Sequence, residues 1–337
     1  MLHPYNLLTE AVHLLDLLLR SSQNISKGLA WLQVFATHPL ARGRGAHQYS
    51  TLHSIHSSIP NTLSRVHYSQ LGVICKNWWM WDDGSMTVDP KEAEWLLAEK
   101  YGGVSTPEYL ADLERLASGE PLAYVIGHVD FLGVHIDLSM HPLIPRPETE
   151  WWVGEAIAEI ETAKPTDTPL RLLDVYTGSG CIGIGLAEHF PRAHVDLGDI
   201  ATIALIQAQQ NVEINRLRER VRSRASDGLR TFTGPYDAIF ANPPYIARSN
   251  IHRIDDSVLD HEPHEALFAE QNGLLHVAHL LNDSFPLLVP GGALYVEFDD
   301  GQEEEIAELA KGSPFGMVEI RKDQYGKWRW FRGVKSL

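Results

Sequence analysis

One stretch decides the fold: Leu170-Arg171-Leu172-Leu173-Asp174-Val175-Tyr176-Thr177-Gly178-Ser179-Gly180. Its mostly apolar first half predicts a buried strand, and its last four residues form a turn of small side chains. A helical pattern follows directly, from Cys181 to Phe190. A strand, a small-residue turn and a helix in direct succession are typical of the first unit of a nucleotide-binding α/β sheet.

Strands and helices continue to alternate after this unit. Apolar runs predict further strands at Ala193–Leu197, Tyr236–Ala241 and Ala293–Phe298, and helical patterns lie at Thr202–Asn215, Gly273–Phe285 and Glu303–Lys311. The residues through Arg224 have the pattern of a short basic helix or loop, and Asp227 lies where a third strand would end. Met317–Arg321 and Trp328–Gly333 predict an antiparallel pair. We therefore predict an α/β fold with a mostly parallel sheet and a C-terminal antiparallel hairpin.

Helical patterns also precede this sheet. Asp89-Pro90 has the signature of a helix start, with Asp as the N-cap and Pro in the first turn, and Thr106-Pro107 repeats it. Val129 to Ile136 alternates as a hairpin does. We predict three regions: an acid-poor N-terminal extension at 1–81, a small helical domain with a hairpin linker at 82–140, and the main domain at 141–337.

The first 81 residues differ in charge from the rest of the chain. They contain two acidic residues against six Lys and Arg, and Leu17 to Trp81 contains no acid at all. Organellar transit peptides share this Ser- and Arg-rich, acid-poor composition. Two interpretations stay open: a mitochondrial targeting segment, or a partly disordered extension of a cytoplasmic protein.

Composition excludes several classes of protein. The 337 residues are 44% hydrophobic and 21% charged, with a net charge of −16. Such a charge argues against a nucleic-acid binder held by a basic surface. Cys75 and Cys181 make no disulfide framework, and the 17 histidines have no metal-ligand spacing, so we expect no metal site. No apolar run of the sequence reaches the ~18 residues that span a bilayer.

Three aspartates lie where strands of the sheet end. Asp174 closes the first strand, Asp199 the second, and Asp227 the expected third. An acid after the second strand typically accepts hydrogen bonds from a ribose diol, and glycines let a ligand approach the backbone. Because the turn lacks the GxGxxG spacing of dinucleotide sites, a ligand with a ribose and an amino-acid end, S-adenosylmethionine, is favoured. Asp174 would lie near its ammonium, Asp199 near the ribose hydroxyls and Asp227 near the adenine amine. Alternatively, each acid is a loop or capping residue.

A stiff corner follows the strand Tyr236–Ala241: Asn242-Pro243-Pro244-Tyr245. Each proline lacks an N–H and fixes its own φ, and the residue before it is pushed to extended geometry. The corner offers one carboxamide, backbone carbonyls and an aromatic ring, which together can hold a planar amide or amine. For this tetrapeptide alone, a structural turn is the alternative.

Taken together, these motifs resemble a known family. Asp-x-x-Thr-Gly-Ser-Gly from Asp174, with Asn-Pro-Pro-Tyr from Asn242, is the pattern of class I methyltransferases that act on planar nitrogens. The resemblance narrows to the HemK/PrmC family, the peptide-chain release factor glutamine N5-methyltransferases, through Leu143-Ile144-Pro145-Arg146-Pro147-Glu148-Thr149-Glu150 and Gly119-Glu120-Pro121-Leu122-Ala123-Tyr124. The similarity runs from about residue 82 to the C-terminus.

The resemblance implies a Rossmann-like class I methyltransferase with a seven-stranded sheet. It would use S-adenosylmethionine to methylate the glutamine of the Gly-Gly-Gln motif of a class I release factor, without a metal, a membrane or a nucleic-acid substrate. The implied catalytic residues are Asn242, Pro243, Pro244 and Tyr245. The implied cofactor-binding residues are Asp174, Thr177, Gly178, Ser179, Gly180, Asp199, Asp227 and Asn242. The implied substrate-binding residues are Arg146, Glu148, Asn242, Pro243, Tyr245 and Glu262.

The chain departs from the family pattern at two places, and alternatives stay open. Tyr176 stands where the family usually has Gly, which predicts a narrowed cofactor turn, and residues 1–81 match no part of the family. A sister activity on glutamine of a ribosomal protein is one alternative, although Pro145 to Glu150 favours the release factor. Adenine-N6 nucleic-acid methyltransferases share the corner, but the acidic main body lacks a basic track for phosphates. A non-catalytic module would not need Asn242 and all three aspartates.

Overall fold

The computed structural model describes residues 88–165 and 167–336. The predicted N-terminal extension at 1–81, and residues 82–87 of the predicted helical domain, lie outside the described residues. The chain divides into two compact units, one that ends at Leu110 and one that begins at Ala111.

Both predicted helices are present: the first lies in the first unit, and the second begins there and continues past Leu110. Helix α1 spans Pro90–Glu99, and helix α2 begins at Pro107 and spans Pro107–Ala117. Asp89 caps α1, because its carboxylate accepts a hydrogen bond from the backbone N–H of Lys91 at 2.8 Å. The Tyr109 hydroxyl donates to the carbonyl of Ala93 at 3.1 Å, so a side chain of α2 joins the two helices.

The second unit is an α/β sandwich. Its helices are α3 (Leu122–Ile126), α4 (Pro147–Ala163), α5 (Cys181–His189), α6 (Thr202–Ile214), α7 (Asp256–His261), α8 (Leu275–Asp283) and α9 (Glu303–Lys311). Its strands are β1 (His128–Phe131), β2 (Val134–Asp137), β3 (Arg171–Val175), β4 (His194–Asp199), β5 (Val221–Ala225), β6 (Tyr236–Ala241), β7 (Ile246–Ala247), β8 (Phe268–Ala269), β9 (Leu288–Glu297), β10 (Glu319–Lys322) and β11 (Trp328–Val334).

Seven strands form the central sheet, in the order β10-β11-β9-β6-β3-β4-β5. The pairs from β9 to β5 are parallel, and β11 runs antiparallel to both of its neighbours. The predicted fold class, with a mostly parallel seven-stranded sheet and a C-terminal antiparallel hairpin, is confirmed. The predicted hairpin between Val129 and Ile136 forms the separate β1–β2 pair.

Apolar side chains cover both faces of the sheet. On one face α4, α5 and α6 pack against β3, β4 and β6, with Trp152 and Phe240 fully buried. On the other face α8 and α9 pack through Val277, Leu281 and Ile306. Strands that are buried on both faces have near-continuous apolar sequences, so β3 and β6 could be predicted from their apolar runs.

One element differs from the sequence prediction. The residues through Arg224, predicted as a short basic helix or loop, form the edge strand β5, which pairs in parallel with β4. Only Val221 of this strand is buried, so its sequence carries little of the apolar signal of a strand. None of the described helices is long and apolar enough to cross a membrane.

Candidate active site

The topology brings the predicted motifs to one edge of the sheet. Val175, the last residue of β3, lies opposite Gly198 of β4 on one side and opposite Ala241 of β6 on the other. Ala241 in turn lies opposite Val296 of β9. Because parallel strands end at the same edge, the turn after β3 and the Asn242–Tyr245 corner after β6 leave the sheet side by side.

Asp174 is a completely buried carboxylate at the base of the turn. Its Oδ2 accepts hydrogen bonds from the Thr177 hydroxyl and, at 3.0 Å, from the backbone N–H of Gly183. Its Oδ1 is also buried and has no hydrogen-bond partner among the described residues. Burial raises the pKa of this carboxyl to about 7, although the two hydrogen bonds oppose the rise.

Asp199 lies at the end of β4, facing the turn. Its two oxygens accept backbone N–H groups, from Gly178 at 3.0 Å and from Ala201 at 2.9 Å. Burial raises its pKa, and these N–H donors limit the rise. Asp227, after β5, is half exposed and forms an ion pair with Arg230 at 2.8 Å. The three aspartates therefore lie at successive strand ends, in three different environments.

The turn is built for close approach to its backbone. Gly178 and Gly180 have φ values of 52° and 85°, in the left-handed region that residues other than glycine rarely adopt. A Cβ at Gly180 would lie 3.0 Å from Ile184 Cδ1 and 3.2 Å from the Ala208 side chain, whereas Gly178 has open space around it. Gly178 therefore leaves room for a ligand over the turn.

The side chain of Tyr176, the residue predicted to narrow the cofactor turn, makes a polar contact with α8. Its φ of 61° lies in the left-handed region, and its hydroxyl is 3.1 Å from Nδ1 of His276 on α8. The ring packs against the apolar cluster on the α8 face of the sheet. A Cβ at Gly228, three residues after β5, would lie only 3.1 Å from the Tyr176 hydroxyl, and the φ of 57° at this position also favours glycine.

The residues at this edge fit S-adenosylmethionine. A buried carboxylate oxygen without a partner is a fitting acceptor for an ammonium group, because an unpaired buried charge is costly until a cation meets it. The open space at Gly178 and the carboxylate of Asp199 beside it suit a ribose. Among the described residues no group of three or more His, Cys, Asp or Glu is placed to hold a metal ion.

The Asn242–Tyr245 corner is held from two sides. The Asn242 Nδ2 lies 3.4 Å from the Thr149 hydroxyl, and the carbonyl of Tyr245 accepts from the Gln302 side chain at 3.0 Å. Gly273 touches the back of the corner: a Cβ there would lie 1.9 Å from the Tyr245 carbonyl oxygen. Pro243 is buried, whereas Asn242, Pro244 and Tyr245 are partly exposed.

A buried glutamate behind the corner was missed by the sequence analysis. Glu297, the last residue of β9, is 1% exposed and accepts three side-chain hydrogen bonds. The donors are the Thr149 hydroxyl at 2.7 Å, the Trp152 indole N–H at 2.6 Å and the Tyr245 hydroxyl at 3.0 Å. Burial raises the pKa of this carboxyl. The available signal was a charged residue near the end of the apolar run Ala293–Phe298.

Arg146 and Glu262, both predicted to bind the substrate, bind each other. The Arg146 guanidinium lies 2.5 Å from Oε1 of Glu262, whose side chain is fully buried. The second oxygen of Glu262 accepts from the backbone N–H of Ile144 at 3.1 Å. The pair joins the segment before α4 to the segment after α7. Glu148 lies in the first turn of α4 and is partly exposed.

Comparisons with known proteins show which family the chain belongs to. Residues 160–285 match the family described as "Methyltransferase small domain". The chain is 35% identical over 224 residues to the release factor glutamine methyltransferase of Streptococcus pneumoniae, covering 66% of this chain and 78% of that protein. It is 36% identical over 239 residues to the protein of the same name from Bordetella pertussis, covering 69% of this chain and 85% of that protein.

Among solved structures, a methyltransferase from Pyrococcus furiosus superposes with a TM-score of 0.44 at 21% identity, over 61% of this chain and 90% of that one. The sequence relatives show the family. The chain belongs to the release factor glutamine methyltransferases and is an S-adenosylmethionine-dependent methyltransferase.

Proposed function

We propose that the protein methylates the side-chain amide nitrogen of the glutamine in the Gly-Gly-Gln motif of a class I release factor. The observation that carries the proposal is the position of Asn242. It follows β6 directly, beside the turn after β3, so a carboxamide stands next to the cofactor site. The relatives named above bear the name of this activity.

The difficulty of the reaction lies in the acceptor. An amide nitrogen is a poor nucleophile because its lone pair is delocalised into the carbonyl. S-adenosylmethionine supplies a methyl group on a positively charged sulfur. The protein would therefore hold the acceptor nitrogen in line with that methyl group, and positioning and electrostatics would account for most of the rate. As the nitrogen–methyl bond forms, the sulfur–methyl bond breaks and leaves a neutral thioether, and the nitrogen loses one proton to a carbonyl of the corner or to water.

The corner supplies the groups that hold an amide. The Asn242 side-chain oxygen and the Pro243 carbonyl accept hydrogen bonds from the two N–H groups of the substrate amide. The two prolines keep the corner stiff, so this geometry exists before the substrate binds. The ring of Tyr245 is partly exposed, while its hydroxyl is held by Glu297, so the ring can pack on the plane of the amide.

The other end of the site holds the cofactor. Asp174 Oδ1 would receive its ammonium and Asp199 its ribose hydroxyls, and Thr177, Gly178, Ser179 and Gly180 would line the turn beneath it. Asp227 would meet the adenine amine only when its ion pair with Arg230 opens, and that pair is exposed and weak. The Arg146–Glu262 pair shapes the entrance for the substrate loop, with Glu148 on the exposed side of the same segment.

Labelled methyl transfer tests the proposal. The full chain is incubated with methyl-labelled S-adenosylmethionine and a purified class I release factor. Label is expected in the wild-type factor and not in a variant with Ala for the glutamine of its Gly-Gly-Gln motif. Asn242→Ala in the enzyme is expected to lower kcat by roughly 100-fold or more, as removal of a transition-state hydrogen bond does.

Three outcomes would contradict the proposal. Label that enters both forms of the release factor equally points to another residue. Label that enters only a ribosomal protein or a nucleic acid points to a different substrate class. Binding of S-adenosylmethionine by calorimetry, without transfer to any acceptor, would indicate a binding module.

We also propose a mitochondrial release factor as the partner. The support is compositional: Leu17 to Trp81 contains no acidic residue, and this segment lies outside the described residues. Mass spectrometry of the N-terminus of the protein isolated from its own cells tests this proposal. A cleaved N-terminus within residues 1–81 is expected, and an intact Met1 with a cytoplasmic location would contradict it.

A further inference from the structure

In the mechanism above Glu297 only holds the Tyr245 hydroxyl and Thr149 has no role, yet Thr149 lies between Glu297 and Asn242. We propose that Glu297, acting through the Thr149 hydroxyl, sets the orientation of the Asn242 carboxamide, so that its oxygen faces the substrate. Both are positioning residues, since neither touches the reacting atoms. The inference rests on the proposed function, because it explains how the acceptor amide is recognised.

The hydrogen-bond donors and acceptors of Glu297, Thr149 and Asn242 determine which end of the Asn242 carboxamide faces the substrate. An ionised carboxylate only accepts hydrogen bonds, and a hydroxyl has a single proton to donate. The Thr149 hydroxyl donates that proton to Glu297 Oε2 at 2.7 Å. Toward Asn242, 3.4 Å away, it can then only accept. The NH₂ end of the Asn242 amide must therefore face Thr149, and Oδ1 is left for the substrate.

The surroundings of Glu297 keep it an acceptor. The Trp152 indole N–H can only donate, and it lies 2.6 Å from the same Oε2 that Thr149 uses. The Tyr245 hydroxyl donates to Oε1 at 3.0 Å. Arg329 is close enough to stabilise the negative charge electrostatically, and it is itself held by Asp323 at 3.1 Å. These partners favour the ionised form of a carboxyl whose burial favours the neutral one.

The orientation matters for the class of acceptor. A primary amide or amine brings N–H groups to the corner, and these require acceptors. A flipped Asn242 would bring its own N–H groups against those of the substrate, leaving donors without partners in a partly buried site. The relay Glu297–Thr149–Asn242 thus selects acceptors that donate two N–H groups, and it disfavours groups that only accept.

A matched pair of substitutions at one position tests the relay. Thr149→Val keeps the shape of the side chain and removes the hydroxyl, whereas Thr149→Ser keeps the hydroxyl. We expect Thr149→Val to lower kcat about 10-fold, the value of one hydrogen bond of ~1 kcal/mol or slightly more. Thr149→Ser should recover most of this loss. The Kd of S-adenosylmethionine, measured by calorimetry, should be the same for both proteins and the wild type.

A second measurement does not depend on any substrate. The side-chain amide signal of Asn242 in a ¹⁵N NMR spectrum can be assigned by its disappearance in Asn242→Ala. In Thr149→Val this signal should shift and its protons should exchange faster with solvent, whereas Thr149→Ser should resemble the wild type. If no release factor is methylated, the proposed function fails while this spectrum still tests the relay.

Trp152→Phe serves as the control for packing and for folding. It removes another donor to Oε2 of Glu297 but leaves the bond between Thr149 and Asn242 in place. Trp152→Phe should lower the melting temperature and leave kcat close to that of the wild type. The relay is overturned if Thr149→Val leaves kcat and the Asn242 signal unchanged. It is equally overturned if Thr149→Ser is as impaired as Thr149→Val, or if Trp152→Phe reproduces the full loss of kcat. Should Thr149→Val fail to fold, the same comparison is made with Thr149→Ala.

Discussion

Two buried carboxylates, Asp174 and Glu297, lie near the carboxyl edge of the sheet, and they differ in which of their oxygens accept hydrogen bonds. Each lies at or near the end of its strand, β3 and β9 respectively, and burial raises the pKa of each. Both oxygens of Glu297 accept hydrogen bonds from protein side chains. Asp174 Oδ1, by contrast, has no partner among the described residues.

The difference separates a group that serves the fold from a group that awaits a ligand. A buried polar atom without a partner costs stability, so native proteins satisfy nearly all of them. Glu297 is satisfied by the chain itself and orders the corner. Asp174 is left incomplete at the position where the cofactor's cation would bind. Substitutions at the two positions should therefore have opposite effects on stability and on cofactor affinity.

The largest effect is expected at Glu297. Glu297→Leu leaves the Thr149, Trp152 and Tyr245 donors without an acceptor in the interior. We expect the free energy of unfolding to fall by about 3 kcal/mol or more, measured by denaturant titration. Glu304→Leu on the exposed face of α9 is the control and should change stability by less than ~0.5 kcal/mol. Equal stability of the two variants would contradict the structural role of Glu297.

Asp174 should respond in the opposite way. Asp174→Asn keeps an oxygen for Thr177 and Gly183 and removes a buried charge whose Oδ1 accepts no hydrogen bond from the described part of the chain. We expect the cofactor Kd to rise by roughly 10- to 100-fold, since a hydrogen bond to a charged group is worth about 1.5–3 kcal/mol. Without cofactor, the melting temperature at pH 8 should stay the same or increase. If Asp174→Asn melts at a lower temperature and binds the cofactor with unchanged Kd, Asp174 stabilises the fold and does not bind the cofactor.

Cofactor affinity should depend on pH through the ionisation of Asp174. The pKa of Asp174 in the folded protein is about 7, against an ordinary value of 3.8. Below pH 7 the carboxyl is protonated and cannot pair with an ammonium, so affinity should be about 10-fold weaker at pH 6 than at pH 8. Calorimetry at the two pH values measures this, and Asp174→Asn should show no such difference.

The same raised pKa determines whether the protein without cofactor becomes more or less stable as the pH rises. Between pH 3.8 and about 7 the folded state holds a proton on Asp174 that the unfolded state has lost. The contribution of Asp174 to stability is therefore highest in acid and is lost as the pH rises through that window. Pairing with the cofactor restores it. Melting curves of the wild type and of Asp174→Asn across this pH range should converge at the acid end.

The smallest effect is expected at Tyr176, whose polar atom has a partner within the chain. Tyr176→Phe removes the hydroxyl that lies 3.1 Å from His276. The free energy of unfolding should fall by about 1 kcal/mol. Cofactor affinity should change by less than about 2-fold, which is below 0.5 kcal/mol. A large loss of cofactor affinity would contradict this prediction, because it would show that the Tyr176 hydroxyl binds the cofactor as well as contacting His276.

Local patterns were sufficient for much of the fold and for the position of the site. The strand-turn-helix unit at Leu170–Phe190, the Asp89 cap of α1 and the two hairpins were readable because each depends on residues close together in the chain. The seven-stranded sheet followed from the alternation of strands and helices together with the family resemblance. The edge strand β5 was not visible, because a strand with one buried residue has almost no apolar period.

The order of residues along the chain places the aspartates, the small-residue turn and the Asn242–Tyr245 corner at the ends of strands. The partners of these residues depend on the tertiary fold. Thr149 meets Glu297 across 148 residues of chain, and Arg146 meets Glu262 across 116. Such pairings are set by strand order and helix packing, which leave no periodic trace in the sequence. For the same reason only the structure could show that both oxygens of Glu297 accept hydrogen bonds, while one oxygen of Asp174 has no partner among residues 88–165 and 167–336.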